Sequence, residues 1–93
     1  GWYYAGLQIG ITFDADTVDR ILLFKGGSAV LDQSGLNCMS DPSAFAKAYH
    51  MSRIPKINYD DRYSDSGIYG IGNEEYLSFG NRMDYIMLTK YWN

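Results

Sequence analysis

The chain has 93 residues, enough for one domain or for two small repeats that share a core. Its apolar share of 46% and charged share of 20% are those of a globular protein and set disorder aside. With 8 basic and 11 acidic residues the net charge is −3, so no basic stripe exists for nucleic acid, and no apolar run approaches the roughly 20 residues of a membrane span.

In chain order, Leu7, Ile9, Ile11 and Phe13 alternate at period two, which predicts a half-buried strand over the second half of residues 2–13. A polar, Asp-rich turn region follows at 14–19. Residues 20–25 (RILLFK) are a continuous apolar run too short for a helix, so a buried strand is expected there. Gly26-Gly27 reads as a two-residue hairpin turn, with residues 28–32 as the returning strand. A loop spans 33–40. Asp41-Pro42 then opens a helix over 42–51: Asp caps the free N–H groups, Pro takes the first helical position, and Phe45 and Tyr49 share a face.

Beyond Pro55, Ile57 and Tyr59 alternate with polar residues and predict another strand. Residues 67–71 and 75–79 read as a strand pair around a Gly72-Asn73 turn, and Gly80-Asn81 makes a further turn. Residues 84–92 suit a last strand or a short helix, and the alternation favours the strand. The expected fold class is therefore mainly β, with one short helix.

Sliding the chain by 46 positions places Ile11 on Ile57, Phe13 on Tyr59, Asp14 on Asp60, Asp19 on Asp65, Gly26 on Gly72 and Leu31 on Leu77. The expectation is a duplicated antiparallel three-stranded unit, with the helix between the copies. Residues 1–93 then form a single domain of two repeats, about 7–52 and 53–93.

The run Arg20-Ile21-Leu22-Leu23-Phe24-Lys25-Gly26 resembles the second strand of a hemopexin-like repeat. Ile68-Tyr69 and Tyr76-Leu77-Ser78-Phe79 fit the same template in the second copy, and Ile54-Pro55-Lys56-Ile57-Asn58 resembles the entry to a new blade. That family normally has four blades and this chain holds two copies, so the resemblance implies a homodimer or an excised half. Strand edges left open by a short core point to self-association as well. Asp60-Asp61-Arg62-Tyr63-Ser64-Asp65 is similar to the acidic calcium loop of a βγ-crystallin-like domain. That similarity implies calcium as a candidate ligand of Asp60, Asp61 and Asp65.

Catalytic and metal chemistry finds little purchase in these residues. One cysteine excludes an internal disulfide, and one His with one Cys excludes a four-ligand His/Cys zinc site in a single chain. The Asp14, Asp16 and Asp19 cluster and the Asp60, Asp61 and Asp65 cluster carry hard oxygen ligands, but Asp also starts turns by bonding its own backbone, which is the simpler reading. His50 is the one imidazole. Cys38 and Ser40 stand near it in sequence, yet no nucleophile motif surrounds them. A dipole contact at the helix end suits His50, and a packed or semi-exposed thiol suits Cys38.

Nine Tyr, four Phe and two Trp make up the 16% aromatic share. Trp2, Tyr3, Tyr4, Tyr91 and Trp92 flank the two termini, and terminal strands lying side by side would bring them together, as a ligand-binding patch or as a terminal mini-core. The expected function is a non-catalytic binding module for a protein or carbohydrate partner. The alternative is a small acidic inhibitor or immunity-type protein that blocks a basic partner's site by electrostatic steering.

Overall fold

A computed structural model describes residues 2–60 and 67–90. Strand β1, Trp2–Tyr4, pairs antiparallel with β2, Ile9–Asp14, which pairs in turn with β3, Thr17–Phe24. The helix α1, Pro42–Ala48, follows after a loop. A second meander comprises β4, Ile68–Gly72, β5, Glu75–Phe79, and β6, Tyr85–Thr89. Both meanders lie in one antiparallel sheet of order β1-β2-β3-β6-β5-β4, and β3 and β6 form its centre.

Register decides the two faces, because residues directly opposite each other in an antiparallel pair share a side. One row runs Trp2, Ile11, Ile21, Leu88, Leu77, Tyr69, and the next runs Tyr4, Ile9, Leu23, Ile86, Phe79. These rows are the inner face. Helix α1 and its flanking loops cover it with Phe45, Leu31, Cys38 and Ile57, and with Leu23, Leu77, Phe79, Met83 and Ile86 they form the core. The rings of Phe45 and Phe79 meet edge to face at 5.2 Å, and Tyr69 meets Phe79 at 5.7 Å. Burying each such side chain contributes about 1.5–3 kcal/mol, which anchors a helix too short to stand alone.

The predicted mainly β class with one short helix is the observed one, and several local expectations are corrected. Residues 28–32 form no strand. Gly26 adopts a φ of 95°, and a Cβ on Gly27 would lie 2.5 Å from the Leu7 carbonyl oxygen, so the glycine pair lets the chain turn out of the sheet and pass against the β1–β2 loop. The place beside β3 belongs to β6, and Lys25 N–H continues that ladder to the Asp84 carbonyl. Residues 57–59 form no strand either: Ile57 enters the core while the Asn58 carbonyl accepts Arg82 N–H. Consequently, a shift of 46 residues lays β2 on irregular chain rather than on a strand.

The Asp-rich turn narrows to Ala15-Asp16, so β3 begins at Thr17, ahead of the apolar run. The helix ends at Ala48, short of the expected residue 51. His50 adopts a φ of 53° and Met51 N–H bonds the Ala46 carbonyl, a Schellman ending in which His50 takes the place usually held by Gly. Asp41 stands at the N-cap with extended backbone, yet its side chain makes no cap bond. The β4–β5 turn falls one residue later than predicted, on Asn73-Glu74, with φ of 55° and 61°. Two positive φ values match the twist of a hairpin, and Glu is a poor residue for the second.

Two substitutions test this account. Glu74→Gly relieves the left-handed strain at an exposed position and should raise unfolding free energy by about 0.5–1 kcal/mol in urea titration. Gly27→Ala forces a methyl group onto the Leu7–Gln8 backbone and should lower it by about 1–3 kcal/mol, with unchanged far-UV dichroism at low temperature.

Candidate functional site

Burial along the two inner rows falls steadily toward β1. Leu77, Phe79 and Ile86 are fully covered, Ile21 and Leu88 are half-buried, Ile9 and Ile11 likewise, and Trp2 and Tyr4 are 61% and 46% exposed. The cause is the size of the cover. One seven-residue helix and its loops reach across β4, β5, β6 and β3, and the β1–β2 hairpin extends beyond them. Phe13, exposed as well, continues the alternation of Ile9 and Ile11 on β2. The result is an apolar shelf, continuous with the core and open to solvent. Contiguous exposed apolar surface of this kind marks interaction sites.

Tyr3 points the other way. Its ring packs edge to face on Phe24 at 5.6 Å, and its hydroxyl donates to Gln8 Oε1 at 2.9 Å. Gln8 in turn donates to the Ala5 carbonyl, so the loop after β1 and the Tyr3 ring hold each other in place. Tyr3 therefore belongs to the outer face with Leu22 and Phe24, and Trp2 and Tyr4 belong to the inner shelf. Three consecutive aromatic residues in a strand necessarily divide in this way.

The terminal strands do not pair, contrary to expectation: β2 and β3 separate β1 from β6. Tyr91 and Trp92 lie outside the described residues, as do Asp61 and Asp65. Asp60 is placed, with its N–H on Asn58 Oδ1 at 2.8 Å and its carbonyl accepting from Asn81 Nδ2 at 3.4 Å. In the first acidic cluster, Asp19 accepts a hydrogen bond from the Thr12 hydroxyl across the β2–β3 pair.

Cys38 is buried, and its thiol donates to the Leu23 carbonyl at 3.3 Å. Burial, then the nearby Asp84 carboxylate, pushes its pKa from an ordinary 9.0 to about 11, against a smaller opposing pull from Lys25 and a backbone hydrogen bond at Ile86. The thiol is thus a packing group with a suppressed nucleophile. A cleft of about 450 Å³ opens beside it, with Lys25, Asp41 and Arg82 among its lining, so both signs of charge meet there.

The inner sheet face also holds two smaller cavities of about 190 and 200 Å³, which share Glu75 and Leu88. Sequence reasoning overlooked Glu75. Its signal was a charge at the first position of a strand whose alternate residues, Leu77 and Phe79, are core. No family model, no curated protein and no solved structure matches this chain.

The raised thiol pKa has two measurable consequences. At pH 8 the native thiol should react with iodoacetamide about a hundredfold more slowly than the urea-unfolded one, from thiolate fraction alone. The folded state holds its proton above pH 9.0 while the unfolded chain releases it, so the Cys38 contribution to stability should be intact below 9.0 and lost as pH rises toward 11. Cys38→Ala should remove that part of the slope.

Proposed function

We propose that the protein is a non-catalytic binding module that grips a protein partner through the open shelf of β1 and β2. The observation that supports this reading is the unbroken apolar row from buried Leu77 out to exposed Trp2. Trp and Tyr are the residues most often found as interface anchors, because they lose large rings from water at small cost in side-chain freedom. Trp2 and Tyr4 stand on a paired strand rather than on a loose terminus, so their positions are set before a partner arrives.

The β1 strand is only three residues long and offers a short free edge, which makes side chains rather than backbone pairing the main means of contact. A second copy of the chain could supply the opposing surface, giving the homodimer expected from the repeat. Carbohydrate is the other ligand class suited to exposed aromatic rings. The net charge of −3 favours the second reading, an acidic inhibitor, only where the partner's surface is basic.

Selection of random displayed peptides on the full chain, a glycan array and sedimentation would separate these partners. Trp2→Ala and Tyr4→Ala should leave the melting temperature within about 2 °C, since both side chains are largely exposed, and should weaken selected binders at least tenfold. Binding that survives both substitutions, or a large loss of stability with each, would remove the shelf as the site.

A further inference from the structure

The two cavities at the centre of the inner face differ in chemistry. The first, about 190 Å³, has Leu88 and Ile71 from the sheet as apolar lining, and Tyr49, Asp32 and Gln33 from the cover, with Glu75 beside them. The Tyr49 hydroxyl and Ser34 Oγ are hydrogen-bonded at 2.9 Å, which holds the ring in place. Among the described residues, the side chains of Asp32, Gln33 and Glu75 have no hydrogen-bonding or ionic partner. Glu75 is the unusual member: it shares the sheet face of Leu77 and Phe79 and is half-buried there. A half-buried carboxylate on an otherwise apolar sheet face is placed to accept charge-assisted hydrogen bonds from a cationic group.

Each cavity falls below the roughly 300 Å³ at which small-molecule and cofactor pockets begin, so either one suits a single side chain better than a cofactor. The first has two carboxylates, an amide and an aromatic ring in its lining, and no basic residue. The second, past Leu88, is lined by acidic and basic residues alike and includes Ile21, whose row across the sheet continues to Ile11 and Trp2.

We propose that the first cavity takes a lysine or arginine side chain from a basic segment of a protein partner, and that the segment then crosses the strands onto the shelf. The proposal rests on the shelf reading and names the partner's chemistry. The net charge of −3 supports a basic partner. Glu75, Leu88, Ile21, Ile11 and Trp2 lie on successive strands, so the path spans four strand spacings, about 19 Å, or about six residues of extended peptide. The partner segment should therefore carry a basic residue and a large apolar residue about six positions apart, the first on Glu75 and Asp32, the second on Trp2.

The test uses peptides selected on the full chain from a random display library. Expected is an excess of Lys or Arg, with an apolar residue at about that spacing. In calorimetric titration of such a peptide, Glu75→Gln should weaken binding about tenfold and flatten its salt dependence. Asp32→Asn, on an exposed loop and so safe for the fold, should act in the same direction. Peptides without a basic excess, or equal binding by Glu75→Gln and Asp32→Asn, would overturn the cavity proposal. If Trp2→Ala still abolished that binding, the shelf would stand without the cavity. Binding of butylammonium or methylguanidinium alone, with no peptide selected, would assign the cavity to a free organic cation and overturn the peptide partner. Failure to select any peptide, with neither cation binding, would overturn the shelf and the cavity together.

Discussion

The antiparallel pairing of β3 with β6 is the contact on which everything else in this protein depends. It joins residues 17–24 to residues 85–89, and without it the chain would be two separate three-stranded meanders, each with an open edge. The pair extends past both strand ends, through Lys25 N–H to the Asp84 carbonyl and Lys90 N–H to the Asp19 carbonyl. It also carries the apolar rows across the seam. Leu23 stands opposite Ile86 and Ile21 opposite Leu88, so the core of one meander continues into the other. Hydrogen bonds define the register, and burial of those side chains supplies the larger share of the free energy.

A chain of this length cannot cover both faces of a six-stranded sheet. The cover it has is one helix with a single fully buried anchor, Phe45, and loops that contribute Leu31, Cys38 and Ile57. That material sits on the central and second-meander strands, where Leu77, Phe79 and Ile86 need it. The first hairpin is left outside. The open shelf is therefore a direct consequence of how the covering segment is spent. The same geometry leaves the cavities around Glu75, where loop and sheet approach without closing.

His50 and Cys38 each have a structural task. His50 ends the helix in a left-handed conformation, and Cys38 packs under the sheet with its thiol bonded to the Leu23 carbonyl. The aromatic residues divide by the same logic. Tyr3 is tied to Phe24 and Gln8 on one face, and Trp2 and Tyr4 remain available on the other.

Much of the local structure was legible in the residues. The β2 alternation, the apolar run of β3, the helix start at Pro42, the β4–β5 hairpin and the last strand all follow from period, turn chemistry and capping position, which act over a few residues. What the residues alone left open was partnership. A period of two assigns a face to Ile9 or Ile57, but a strand exists only where another backbone answers its N–H and C=O groups. Residues 28–32 and 57–59 have strand-like patterns but join no ladder: β6 takes the position beside β3, and the backbone groups of Leu31 and Asn58 bond loop and turn residues, Leu36 and Arg82 among them. The exposure of Trp2 and Tyr4, the opposite direction of Tyr3 and the placement of Glu75 among core residues were likewise decided by register and by the reach of the cover, both products of contacts between segments far apart in the chain.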